Sequence, residues 1–194
     1  MTLSGVGLLL ALPVGLLIAA AVKLSDGGPV FFSQERVGKG GRAFRGFKFR
    51  SMVPDADKRF GVVQASEHDP RITPLGRLLR GTAMDELPQL WNIFKGDMSF
   101  VGPRALASSE VEVGASGAPV ALSSIPGFAK RHSVTPGLTG IAQVYAPRDL
   151  PRRQKFRYDR LYVENQSFWL DIKLIALSFW ITFRGKWEAR EKKL

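Results

Sequence analysis

Asp85 and Glu86 stand side by side at the head of an apolar run, TAMDELPQLWNIFKGDMSFVGPR (Thr82–Arg104). Basic residues crowd both flanks: Arg71, Arg77 and Arg80 before the pair, Lys95 and Arg104 after it. An ionised carboxylate among cations can attack phosphorus or hold a divalent metal, so the pattern suits chemistry on a phosphorylated substrate. A second reading is purely structural. Thr82 precedes Asp85 by three residues, a helix-start signature, and acids in a first helical turn complement the macrodipole without further purpose. Pro88 counts against an uninterrupted helix there, because a proline past the first turn deletes a backbone hydrogen bond.

Two other stretches offer phosphate contacts. In Arg42–Arg50, Phe47 and Phe49 alternate with Lys48 and Arg50, so one strand face is apolar and the other cationic. In SVTPGLTGIAQV (Ser133–Val144), Thr135-Pro136-Gly137 brings backbone N–H groups together, which can hold a phosphate or simply join two elements. The glycines at 38–41 fit neither a P-loop nor a dinucleotide fingerprint. The chain has no cysteine, which excludes disulfides, thiolate nucleophiles and sulfur-rich zinc sites. Its two histidines, His68 and His132, lack partner spacing, so a histidine metal site or a Ser-His-Asp triad is not expected.

These residues need a scaffold, and 194 residues suffice for one domain and an appendage. Met1 to Val22 carries no charged side chain. A secretory signal would want a basic start that Met1–Gly5 lacks. A spanning helix and a re-entrant hairpin bent at Pro13 both fit the apolar length. Lys23, Arg36, Lys39, Arg42, Arg45, Lys48 and Arg50 follow at once, which places the soluble part on the cytoplasmic side. Val30–Arg36 and Arg42–Arg50 read as a hairpin, Pro54–Phe60 and Pro74–Gly81 as short helices. Residues 105–132 read as a mobile insertion of low complexity with no chemistry.

The net charge of +11 points to polyanionic partners. Arg148, Arg152, Arg153, Lys155, Arg157 and Arg160 form the densest basic run, either a solvated helix face or a site for anionic head groups. Phe168, Ile172, Ile175, Phe179 and Phe183 then recur at a helical period, with Trp169, Trp180 and Trp187 nearby. That helix lies along a bilayer surface or packs on the core.

Taken together, four ordered blocks resemble the bacterial sugar transferases, the monotopic phosphoglycosyl transferases: Gly28–Met52, Arg71–Arg104, Val134–Val144 and Tyr158–Ile175. The resemblance implies transfer of sugar-1-phosphate from a UDP-sugar to polyprenyl (undecaprenyl) phosphate, with UMP released. It makes Asp85 the nucleophile of a covalent phosphosugar intermediate and Glu86 the Mg²⁺ ligand. Arg77, Arg80 and Arg104, with Lys48, Arg50, Thr135 and Gly137, are the candidates for substrate phosphate or nucleotide. It also implies a re-entrant helix broken at Pro13, and so favours that reading over spanning. Ala105 and Leu12 depart from the family's usual Pro and Ser.

The expected fold is therefore α+β: a membrane helix-break-helix at 1–24, then a cytoplasmic catalytic domain at 25–194. That domain would hold a small β-hairpin sheet and several short and amphipathic interfacial helices, on the inner face of a bacterial cytoplasmic membrane. Expected partners are the UDP-sugar, polyprenyl phosphate and anionic lipids. Nucleic acid is not expected, because a nucleic-acid binder needs neither the uncharged start nor the acid pair. A non-enzymatic basic scaffold on the membrane surface is the alternative function.

Overall fold

A computed structural model describes residues 2–61, 69–113, 119–147, 150–185 and 187; His68 and Arg148 lie outside the described residues. One long helix, α1 (Thr2–Asp26), opens the chain. The β1 (Phe31–Val37) and β2 (Ala43–Phe49) strands pair antiparallel, from Phe31 opposite Phe49 to Val37 opposite Ala43. The first is shifted by one residue from the expected Val30–Arg36, and the second is one residue shorter at each end than Arg42–Arg50. The turn between them uses Gly40 and Gly41, both at positive φ, which glycine adopts without a Cβ clash.

Short elements follow: α2 (Ala56–Phe60), α3 (Pro74–Gly81) and α4 (Gln89–Lys95). Thr73 caps α3 through its side-chain oxygen, which accepts from the Gly76 N–H at 2.9 Å, and Pro74 opens the helix. Beyond α4 come β3 (Ser99–Val101), β4 (Val111–Val113), β5 (Pro119–Ala121) and α5 (Phe128–Arg131). The order closes with β6 (Gly137–Thr139), α6 (Ile141–Tyr145), α7 (Arg152–Asn165) and α8 (Phe168–Phe183). β3 runs parallel to β6, and β4 forms a small antiparallel pair with β5. The mixed α and β character agrees with the expectation.

Helical structure continues through Pro13, so the expected helix-break-helix form is not present as an interruption of α1. Both halves of α1 rest on the body of the protein. A Cβ at Gly5 would lie 3.5 Å from the Phe94 ring, one at Gly7 3.7 Å from Leu90, and one at Gly15 3.7 Å from Phe49. Ser4 is fully buried near one end, and Ile18 and Val22 are buried with Phe49 and Leu79 near the other. The opposite face is bare and apolar: Leu3, Leu10, Leu17 and Leu24, seven residues apart, are all exposed. By length and composition α1 could cross a membrane.

α8 divides in the same way. Leu174 and Ile181 are fully buried against Val101, Val144 and Tyr162. Phe168, Ile172, Phe179 and Phe183 are exposed, as are Trp169 and Trp180. The aromatic stripe therefore faces outward, and a different face of the helix supplies the core.

Arg50 clasps the end of α1. Its guanidinium donates to the Asp26 carboxylate and, through Nε, to the Pro29 carbonyl at 2.6 Å. Hydrogen bonds from Arg50 and from the Gly28 N–H hold the Asp26 carboxyl down at about 2, against an ordinary 3.8. A depressed carboxylate contributes stability above its unfolded pKa and loses it as pH falls through the folded one. The urea midpoint should therefore fall as pH drops from about 4 toward about 2. Asp26→Asn should flatten that part of the profile; an unchanged slope would show that the clasp does not act.

Candidate active site

The acid pair sits on a tight connection between α3 and α4. Thr82 does not cap it, contrary to the helix-start reading: its hydroxyl donates back to the Leu78 carbonyl at 2.8 Å. Ala83 takes the left-handed conformation (φ 54°), and Met84–Glu86 forms a single 3₁₀ turn. A left-handed alanine is strained, and here it reverses the chain just before the acids. Pro88 stands immediately before α4, where its missing N–H costs nothing. Leu87 packs into two hydrophobic clusters, which fixes the turn from below.

Asp85 and Glu86 are each 4% exposed and line a cleft of about 560 Å³. Lys48, from β2, reaches both: its Nζ is 3.7 Å from Asp85 Oδ2 and hydrogen-bonded to Glu86 Oε1. Arg104 Nη2 donates to the same Glu86 oxygen at 3.0 Å. Register between β2 and α4 is set by buried Asn92. It accepts from the Phe47 N–H at 3.1 Å and donates to the Arg45 carbonyl at 2.8 Å. Lys48 is thereby held opposite the acids.

The two carboxyls differ electrostatically. Burial raises the Asp85 pKa and Glu86 raises it further, against the pull of Lys48. Burial also opposes ionisation of Glu86, but the charges and hydrogen bonds of Lys48 and Arg104 outweigh it and leave Glu86 well below the usual range. Burial lowers Lys48 while both acids raise it, and the net shift is downward. Arg80 lines the cleft and is also lowered by burial, with Asp85 its principal attraction.

Residues 1–185 match the sequence family described as "Bacterial sugar transferase". The chain belongs to that family. Among its relatives is a UDP-glucose:undecaprenyl-phosphate glucose-1-phosphate transferase from Klebsiella pneumoniae, 42% identical over 185 residues. That match covers 92% of this chain and 38% of the relative. The "Exopolysaccharide production protein ExoY" of Rhizobium meliloti is 37% identical, over 89% of this chain and 78% of its own length. A relative from Aeromonas hydrophila is named for N-acetylgalactosamine phosphate transfer to undecaprenyl phosphate. It is 40% identical over 84% of this chain and 37% of its own. The chain thus spans little more than a third of some relatives and most of another.

Not every residue singled out from the sequence reaches the cleft. Asp85, Glu86, Lys48, Arg80 and Arg104 converge there. Arg77 is exposed on α3 and is not among the lining residues. Arg50 touches the cleft, but its guanidinium is engaged by Asp26 and backbone carbonyls. Thr135 and Gly137 do not line it. Gly137 is a strand residue whose N–H donates to the Pro103 carbonyl at 2.9 Å, so the phosphate-turn reading fails there. Lys95 pairs with Asp97 at 3.1 Å.

Sequence reasoning missed Arg36, Glu110, Arg131, Gln143 and Asp159, which also line the cleft. Lys155 does too, although the basic run around it read as solvated or lipid-facing. Segment 105–132, expected to carry no chemistry, supplies Glu110 and Arg131, and its Ala105, Leu106 and Ala107 are buried. No spacing rule pointed to these residues.

The donor set suits a hard divalent cation only in part. Two adjacent carboxylates are oxygen donors of the right kind, but no cluster of three His, Cys, Asp or Glu occurs among the described residues. Mg²⁺ commonly takes one or two carboxylates and completes its shell with phosphates and water, so the pair fits a cation that arrives with a diphosphate.

Proposed function

We propose that this chain transfers sugar-1-phosphate from a UDP-sugar to a polyprenyl phosphate. In the first step an Asp85 oxygen forms a bond to the sugar-proximal phosphorus. The phosphoanhydride bond breaks and UMP leaves with its electron pair. In the second step an oxygen of the lipid phosphate attacks the same phosphorus, and the Asp85 carboxylate departs. A lipid-linked diphosphate sugar results. The observation that carries this reading is the buried Asp85–Glu86 pair under Lys48 and Arg104 in an open cleft.

Two like charges out of water are costly, and a scaffold protein gains nothing from them. A phosphoryl-transfer site does: the cations offset charge on the diphosphate, and the low dielectric strengthens each interaction. Lys48 and Arg104 hold Glu86 ionised and fixed, and Arg80 adds positive charge beside Asp85. Glu86 is the residue we assign to Mg²⁺, which when bound would neutralise diphosphate charge. The relatives' names support undecaprenyl phosphate as acceptor but differ in the sugar, glucose in one and N-acetylgalactosamine in another. Pocket shape must set that choice.

The test is UMP release from a panel of UDP-sugars with polyprenyl phosphate. With the preferred sugar, initial rates against both substrates should give parallel lines, because UMP leaves before the lipid reacts. Intersecting lines would mean direct attack by the lipid phosphate.

The bare apolar faces of α1 and α8 are the membrane-facing surfaces in this reading, and basic side chains suit anionic head groups. We assign α1 a re-entrant path, turned at Pro13 without loss of helical structure, with the catalytic body on the cytoplasmic face of the bacterial inner membrane. Support comes from the contacts that both its halves make with that body. A Cys at Thr2 should react with an impermeant reagent only from the cytoplasmic side. Reaction from the outer side would establish a spanning helix.

A further inference from the structure

Arg131 is a large, charged side chain that is 2% exposed, and the transfer steps above do not use it. Its Nε donates to Asp159 Oδ2 at 2.8 Å, and its guanidinium lies 4.8 Å from the Phe156 ring centre. Nη1 meets His132 Nε2 at 2.9 Å. His132 Nδ1 is 2.8 Å from the Phe128 carbonyl, which can only accept, so Nδ1 carries the proton and Nε2 accepts from Arg131. The remaining nitrogen, Nη2, donates to the backbone carbonyl of Arg104. One guanidinium thus joins α5, α7 and the strand of chain that carries Arg104.

That strand of chain is held to an unusual degree. The Gly102 carbonyl accepts from Gln143 Nε2 at 3.3 Å, and the Pro103 carbonyl from the Gly137 N–H at 2.9 Å. The Ala105 carbonyl accepts from Arg36 Nη1 at 2.7 Å, and the Leu106 carbonyl from the Val37 N–H at 2.9 Å. With Arg104 taken by Arg131, the carbonyls from Gly102 to Leu106 all have a donor. Three of these five donors, on Gln143, Arg131 and Arg36, are side chains. The consequence falls on Arg104, whose side chain must meet Glu86 at 3.0 Å.

We propose that Arg131, held by Asp159, is a positioning residue for the transfer reaction: it pins the Arg104 backbone and so keeps the Arg104 guanidinium on Glu86. The proposal rests on the reading of Asp85 and Glu86 as the phosphoryl-transfer pair. A merely structural Arg131 would tie α5 to α7 and leave Arg104 indifferent.

Arg131→Lys separates these roles. The lysine keeps a positive charge beside Asp159 but cannot serve Asp159, His132 and the Arg104 carbonyl together. Asp159→Asn is the second variant, loosening Arg131 from the other end. In the full chain in lipid nanodiscs, hydrogen exchange over residues 102–107 should rise about tenfold or more in both variants. Exchange in the β1–β2 hairpin should stay as in the parent. Unchanged exchange at 102–107 overturns the proposal.

The kinetic arm is a cycle with Arg104→Ala. Arg131→Lys should lower kcat for UMP release about tenfold in the parent and scarcely further in the Arg104→Ala background. Equal losses in both backgrounds would show that Arg131 does not act through Arg104. Failure of the transfer reading itself would appear as no UMP release from the parent. The exchange arm does not depend on that result.

Discussion

Asp85→Asn should abolish UMP release, a fall of about a thousandfold or more, while leaving the protein folded and bound to membranes. The amide keeps the shape of the carboxylate and loses its negative charge and nucleophilicity. Folding should tolerate the change, because Lys48 and Arg104 retain Glu86 as a partner. It also removes one of two adjacent buried negative charges, which burial and Glu86 already push toward protonation. The thermal midpoint should therefore hold or rise. Near-parental UMP release by this variant would remove Asp85 from the mechanism, and a collapse of the midpoint would mean that its charge serves the fold.

Lys48→Met should cost both stability and activity. The ammonium lies between the two carboxylates, and methionine keeps an apolar stem of similar length without the charge. Breaking a buried ion pair by removing one partner typically costs about 3–5 kcal/mol, because an uncompensated charge stays behind. Arg104 still faces Glu86, which puts the expected loss at the lower end, about 3 kcal/mol. Loss of a preorganised cation should reduce kcat/KM by about a hundredfold to a thousandfold. In the Asp85→Asn background the stability cost should shrink, since one of the stranded charges is gone. Denaturant titration of the four proteins checks this, and equal costs in both backgrounds would mean that Lys48 does not interact with Asp85.

The parts of the fold that could be read from the sequence are those whose partners lie close by along the chain. The β1–β2 hairpin follows from alternation around Gly38–Gly41, and α3 has the bounds expected of it, Pro74–Gly81. Alternation in β2 also put Lys48 on a cationic face. The same argument put Arg50 there, yet Asp26, a residue 24 positions away, takes its guanidinium.

Long-range partners account for the other misses. Ser133–Val144 has turn chemistry, but Gly137 lies parallel to β3, and its N–H is used by Pro103. Arg131 and Asp159 are 28 residues apart and mean nothing until α5 packs on α7. The acid pair was legible as two carboxylates in a basic surround. Its conformation was not, because nothing local marks Ala83 as left-handed.

The central claim is that Asp85 becomes covalently bound to the phosphosugar, and trapping that species tests it most directly. The protein would be mixed with its preferred UDP-sugar in the absence of polyprenyl phosphate, quenched, and measured intact by mass spectrometry. The expected result is a mass increase equal to one sugar phosphate, located on the peptide containing Asp85, absent from Asp85→Asn, and discharged on adding polyprenyl phosphate. Release of UMP only when the lipid is present, with no adduct on Asp85 at any time, would contradict it.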